Sequence, residues 1–190
     1  MNIVGLLLAA GSASRFGSDK LRHALPHGVA IAVQAARHLK AELPRVIAVI
    51  RTSAEAGDFK HEGCESVVCV NAHEGMGASL ACAARAAGRV DGYVVALADM
   101  PFVRPSTIAA VRQALEQGAQ LAAPYFRARR GHPVGISGAF YEQLIALGGD
   151  EGAKRLLAAH ESALVKIPVG DVGVIRDIDR PEDLTPPIRV

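Results

Sequence analysis

The stretch Ile3-Val4-Gly5-Leu6-Leu7-Leu8-Ala9-Ala10-Gly11-Ser12-Ala13-Ser14-Arg15-Phe16-Gly17-Ser18-Asp19-Lys20 decides the fold. Ile3 to Leu8 is apolar throughout, as expected of a short strand covered on both faces. A loop of small residues follows and carries two cations, Arg15 and Lys20. Small residues let backbone N–H groups approach an anion closely, and the cations bring charge to the same place, which suits a polyphosphate. A secretory leader would need a basic region ahead of its apolar run, and none is present. No apolar run reaches the ~18 residues that cross a membrane.

Working outward, apolar runs alternate with helical spacing. Gly28 to Leu39 reads as a helix and Arg45 to Ile50 as a β-branched strand; Ser66 to Val70 reads as a strand and Met76 to Ala87 as an alanine-rich helix. Tyr93 to Leu97 is a strand, and Pro105 to Gln117 is a helix with proline at its start. Such alternation predicts a three-layer αβα architecture around a mostly parallel twisted sheet, with ligands beyond the carboxyl ends of the strands. Beyond Leu121 the rhythm changes. Short strands at Leu121–Pro124 and Pro133–Ser137 flank the basic stretch Arg127-Ala128-Arg129-Arg130, helices follow near Phe140 and Ala153, and Leu164–Val169 and Gly173–Ile178 read as closing strands before Pro186-Pro187.

A length of 190 residues predicts one domain. Its working halves are expected at about 1–120 for a nucleotide and about 121–190 for a second substrate. With 21 Lys plus Arg against 19 Asp plus Glu, the net charge of +2 excludes a dedicated nucleic-acid binder. Aromatic residues are 4% and Trp is absent, so no base-stacking platform is expected and the core is aliphatic. Cys64, Cys69 and Cys82 make no CxxC pair and no closed disulfide framework, which predicts a reducing, cytoplasmic setting.

Several chemistries lack their residues. Gly11 and Gly17 are wrongly spaced from Lys20 for a Walker A loop, and neither a GxGxxG fingerprint nor an acidic residue closing the second strand is present. No GxSxG elbow exists, and Pro26 between His23 and His27 spoils a zinc-binding helix. Three polar features remain. Asp99 ends the apolar run Val94-Val95-Ala96-Leu97-Ala98, where a buried carboxylate needs a partner: Mg²⁺ shared with nucleotide phosphates, or backbone N–H groups in the turn before Pro101. Asp179 is either a second metal contact or the cap of a short helix at Pro181–Leu184. The loop Asn71-Ala72-His73-Glu74-Gly75-Met76-Gly77-Ala78-Ser79 opens a helix, either facing a nucleotide or as an ordinary cap.

The stretch Leu8 to Lys20 resembles the LxAGxSxRfGxxK signature of the MobA-like NTP transferases, in particular the molybdenum cofactor cytidylyltransferases, with Ala13 in place of the usual Ser. Leu97–Phe102 is similar to the family's LxDxPF segment, Glu74–Leu80 to its EGMxxSL loop, Gly131–Val134 to GHPV, Gly149–Lys154 to GDxGAR, and Asp177–Leu184 to DIDTPEDL. After Lys20 the chain departs, lacking the family's usual Gly-Lys-Pro. The resemblance implies a nucleotide-diphospho-sugar transferase-like fold that transfers CMP from CTP to molybdenum-bearing molybdopterin and releases pyrophosphate. It assigns catalysis to Arg15, Lys20 and Asp99, and the cofactor Mg²⁺ to Asp99 and Asp179, with Asp177 the weaker alternative. It assigns nucleotide contacts to Leu8, Ala9, Ala10, Gly11, Ser14, Arg15, Lys20, Asn71, Gly75, Met76 and Ser79. Acceptor contacts fall to His132, Asp150 and Gly152, and the product implies contact with a recipient molybdoenzyme or a delivery chaperone. The pair Ala10-Gly11 favours cytidine, because the guanylyl branch usually carries two glycines there. The alternatives are GTP as donor, a sugar or alditol phosphate as acceptor, or a nucleotide-binding regulator without chemistry.

Overall fold

The computed structural model describes residues 1–11, 20–150 and 152–185. Its centre is β1 (Ile3–Leu8), flanked in parallel by β2 (Arg45–Ile50) and β4 (Gly92–Leu97). The pleat sends alternate residues to opposite faces. Ile3, Leu7 and Ala9 join a core with α1 (Ile31–Glu42) and α4 (Pro105–Glu116), whereas Val4, Leu6, Leu8 and Ala10 join a second core with α3 (Met76–Ala87). Two cores on one sheet make the expected three layers, the nucleotide-diphospho-sugar transferase-like arrangement. Gly5 is where α1 comes closest: a Cβ there would lie 3.0 Å from the Leu39 side chain.

The rest of the sheet adds β3 (Glu65–Val68), β5 (Leu121–Phe126), β6 (Arg129–Arg130), β7 (Val134–Ser137) and β8 (Leu164–Pro168), in the order β3-β2-β1-β4-β7-β5-β6, with β8 also paired to β5. β7 runs antiparallel to both β4 and β5, so β5 runs parallel to β4 and ends at the same edge. Short helices α2 (Ala56–Lys60), α5 (Tyr141–Ile145) and α6 (Lys154–Ala159) complete the layers.

Three local readings change. The first helix begins at Ile31 rather than Gly28, because Gly28 at φ +87 closes a turn back onto the Leu25 carbonyl. The third strand is Glu65–Val68, one residue earlier at its start and two at its end than expected. Gly173–Ile178 is not a strand: Val172–Ile175 is a 3₁₀ turn. Its β-branched residues are overruled by buried Asp171, whose carboxylate accepts from Gly173 N (3.0 Å), Arg104 N (2.9 Å) and Thr107 Oγ1 (2.8 Å). The closing Pro186-Pro187 lies outside the described residues.

Candidate nucleotide and metal site

The site lies at the carboxyl edge of the sheet, where parallel strands leave space between their departing loops. A cavity of about 510 Å³ opens there, lined by Leu8, Ala10 and Gly11 from the end of β1, by Lys20, by Gly75, Met76 and Ser79 at the start of α3, and by Asp99 and Asp150. That volume is in the range of small-ligand sites, ~300–1,000 Å³. Ala9 is not in its wall, because the pleat turns it to the α1 face, where it lines a separate 200 Å³ pocket. Ser14 and Arg15 lie outside the described residues.

The α3 side of the cavity is held by glycine contacts. Gly75 sits at φ +127, and a Cβ on it would stand 2.2 Å from Asp150 Oδ1. Gly77 N donates to the Gly149 carbonyl at 2.7 Å. These contacts clasp the loop 148–150 onto the start of α3, so Asp150 shares a wall with Gly75 and Met76 instead of standing apart in the second half. Gly152 packs behind Met76: a Cβ there would be 3.0 Å from its sulfur. Asn71 is outside the lining, its amide spanning the loop to Glu74 (3.3 Å) and accepting from Cys69 Sγ (3.2 Å).

At the other side three carboxylates converge. Asp99, Asp177 and Asp179 each offer an oxygen, all within 4.8 Å of one another. Local alternation explains the last two. Ile178 is fully buried in a small core with Leu25 and Ile31, its N–H donates to the Asp99 carbonyl at 2.9 Å, and the flanking aspartates are brought together beside Asp99. Asp179 does not cap the turn at Pro181–Leu184; Asp183 does, accepting from the N–H groups of Asp179 (3.1 Å) and Arg180 (2.9 Å).

Lys20 Nζ reaches Asp99 Oδ2 at 3.0 Å and Asp179 Oδ1 at 3.3 Å, with its side chain only 11% exposed. Burial lowers the pKa of the ammonium, and the two carboxylates more than offset this, leaving it above the ordinary lysine value. Asp99 moves the other way from what a salt bridge alone would give: burial raises its pKa, Lys20 opposes, and the charge of Asp177 pushes it up again. The asymmetry follows from burial of the Asp99 carboxylate first, with the neighbouring charge of Asp177 adding to it. Such a set of hard oxygen donors, short of positive charge, fits a divalent cation.

His132 belongs elsewhere. It follows the base of the β5–β6 hairpin, lies beside His38, Ala96 and Met100 between β4 and α1, and its Nδ1 is buried without a partner. Burial and the charge of Arg130 lower its pKa to about 4. It therefore packs the loop rather than lining the cavity. Arg51 carries no motif that marks it in the sequence: it follows β2 at the same edge, lines the cavity, and its Nε lies 3.5 Å from Glu55 Oε1. The strand-end rule that selected Asp99 could have found it.

A cavity and an acid cluster on the carboxyl edge of this sheet define an α/β nucleotidyltransferase. Residues 5–164 match the MobA-like NTP transferase domain, and the chain belongs to that family. The purine catabolism protein PucB of Bacillus subtilis (strain 168) is 28% identical over 193 residues, covering 95% of this chain and 93% of PucB. Rv0371c of Mycobacterium tuberculosis H37Rv is similar at a TM-score of 0.81 and 25% identity, covering 96% of this chain and 95% of that one. A structure of Rv0371C with manganese gives a TM-score of 0.70 at 20% identity over 90% of this chain and 93% of that one. Molybdopterin-guanine dinucleotide biosynthesis protein A of Archaeoglobus fulgidus shares the fold at a TM-score of 0.66 and 20% identity, covering 95% of this chain and 94% of that one. Among the described residues no helix is long and apolar enough to cross a membrane.

Proposed function

We propose that this chain transfers CMP from CTP to the terminal phosphate of molybdenum-bearing molybdopterin, making the cytosine dinucleotide and releasing pyrophosphate. The convergence of Lys20 with the Asp99, Asp177 and Asp179 carboxylates, of which Lys20 and Asp99 also line the 510 Å³ cavity, carries the reading. A phosphate oxygen of the acceptor attacks the α-phosphorus, a P–O bond forms as the bond to the β-phosphate breaks, and pyrophosphate leaves with its charge. No covalent enzyme intermediate is needed, so the chain's task is positioning and charge neutralisation.

In this reading Leu8, Ala10 and Gly11 receive the nucleotide where β1 ends, and Gly75, Met76 and Ser79 border its base and ribose. Arg15 and Lys20 neutralise the triphosphate. Asp99, with Asp177 and Asp179, would hold Mg²⁺, which when bound supplies Lewis-acid polarisation of the phosphoryl oxygens. Residues of about 1–120 form the nucleotide half and about 121–190 the acceptor half, in which Asp150 and Gly152 brace the seam between the two. Support for a pterin acceptor comes from the name of the Archaeoglobus relative, and support for cytidine from the Ala10-Gly11 pair.

The test is pyrophosphate release from CTP, GTP, ATP and UTP, with molybdopterin and Mg²⁺ each present or withheld. Release from CTP alone, requiring both additions, is expected. Release from GTP in preference would move the chain to the guanylyl branch, and release only with a sugar or alditol phosphate would replace the acceptor.

A further inference from the structure

We propose that the β5–β6 hairpin is the anion-binding part of the acceptor site, with Arg129 and Arg130, and Arg127 at the tip, holding a phosphate monoester on the side of Asp99 away from the nucleotide cavity. This rests on the nucleotidyl-transfer reading and adds to it residues that bind the acceptor.

Strand register gives the placement. Val94 of β4, Gly135 of β7 and Ala122 of β5 share one row of the sheet, and β4 and β5 are parallel. Beyond that row Asp99 follows the end of β4 and Arg127 the end of β5, in turns that leave the same edge of the sheet, with β7 between the two strands. Two strand spacings are about 9.6 Å. An acceptor phosphate held by the long arginine side chains of the hairpin would sit on the β7–β5 side of the acid cluster. The nucleotide cavity lies on the β1–β3 side, so an acceptor entering over β7 comes to the acid cluster from its other flank; in-line displacement at the α-phosphorus then has the pyrophosphate leave opposite the acceptor oxygen.

Charge supplies the second observation. Arg127, Ala128, Arg129 and Arg130 are all exposed, and among the described residues none of the three arginines forms an ion pair. Several other arginines meet carboxylates, as Arg37 does Glu62, Arg45 Glu65 and Arg112 Glu116, and others, such as Arg85 and Arg176, meet backbone carbonyls. Three unneutralised guanidinium groups beside an acidic cluster are an anion site in search of its anion, and the planar fork of arginine suits phosphate oxygens.

Backbone geometry is the third. The hairpin turns through Arg127 at φ 47 and Ala128 at φ 65, left-handed positions normally given to Asn, Asp or Gly. The turn is nevertheless fixed at its base. Gly131 N donates to the Pro124 carbonyl and His132 N to the Val174 carbonyl, both at 2.8 Å, and a Cβ on Gly131 would strike Val174 O at 2.3 Å. Val174 belongs to the 3₁₀ turn that leads directly into Asp177. The hairpin and the acid cluster are therefore braced on the same segment.

The experiment uses the full chain loaded with a non-hydrolysable CTP analogue, into which a phosphorylated pterin is titrated while its ring fluorescence is followed. Arg129→Ala/Arg130→Ala, both exposed positions, should weaken binding by at least about tenfold while leaving the affinity for the CTP analogue unchanged. The unphosphorylated pterin should bind wild-type and variant alike, and Arg129→Lys/Arg130→Lys should recover part of the loss. In turnover the acceptor KM should rise and the CTP KM should not. Equal binding of phosphorylated pterin by wild-type and Ala variant would overturn the hairpin assignment alone, leaving the arginines to an acidic partner surface. Failure of the wild-type chain to bind that pterin would overturn the acceptor class and the assignment with it.

Discussion

On the β1–β3 side of Asp99 the chain hollows out a cavity from small residues, and on the β7–β5 side it raises a ridge of guanidinium groups. Ala10, Gly11 and Gly75 make room, and the two cations described there are held: Lys20 is nearly buried and tied to two carboxylates, and Arg51 lies beside Glu55. Arg127, Arg129 and Arg130 stand in solvent without ion-pair partners among the described residues. The difference matches two tasks. A nucleoside must be enclosed to be recognised, whereas a charged acceptor has to be caught from solution and released as product. Exposed charges are screened by salt over about 8 Å at physiological strength, and buried pairs much less. Salt should therefore weaken acceptor binding well before it weakens nucleotide binding.

The comparison breaks most visibly at Asp99. Asp99→Asn should cut metal-dependent pyrophosphate release by at least ~10³, as expected when a ligand of the charge-neutralising cation is lost from an enclosed site. The fold should persist in thermal melting, because Asn keeps the shape of the side chain and Lys20 keeps its contact with Asp179 at 3.3 Å. Normal turnover by the folded variant would remove Asp99 from the metal site. Next comes Lys20→Ala, for which turnover at saturating CTP should fall by ~10²–10³. Unchanged turnover would leave Lys20 with a structural role.

Two changes sharpen the acceptor side. His132, neutral in the native protein with a pKa lowered to about 4, is protonated in the unfolded chain below about pH 6.5. The unfolded state then binds a proton that the native state does not, so stability is full above that pH and falls on acidification toward 4, by up to about 3 kcal/mol. Denaturant unfolding at pH 7, 5 and 4 should show this slope, and His132→Gln should flatten it; an equal slope in the variant would place the acid sensitivity elsewhere. Smallest is Ala128→Gly, which removes a left-handed alanine and should stabilise the chain by about 1 kcal/mol in thermal unfolding. A loss of stability there would mean that the turn is not strained.

Much of the nucleotide side was legible in the sequence, because its signals are local. An apolar run ending in small residues locates β1, and a lone aspartate after Val94–Ala98 locates the edge of β4. Layering follows from the lengths of the runs. The acceptor side was harder to read, because its geometry is set by distant partners. Val172–Ile175 looks like a strand until buried Asp171 is seen to tie its backbone to α4. The turn at Arg127-Ala128 has none of the residues that announce a left-handed hairpin, and nothing in the order of the chain shows Gly77 meeting Gly149. Arg51 was hidden by an expectation of the opposite charge at the end of β2. Asp177 and Asp179 alternate around Ile178, but only the burial of Ile178 shows that both belong beside Asp99.

The most direct measurement is the thermal shift of the full chain with CTP, with and without Mg²⁺, in wild-type and Asp99→Asn. If cavity and acid cluster are one site, Mg²⁺ should increase the stabilisation by CTP in the wild-type chain, approaching about 2.7 kcal/mol at a hundredfold excess over the dissociation constant. The variant should lose that increment. A CTP shift that is the same with and without Mg²⁺, or an increment that survives in Asp99→Asn, would contradict the account.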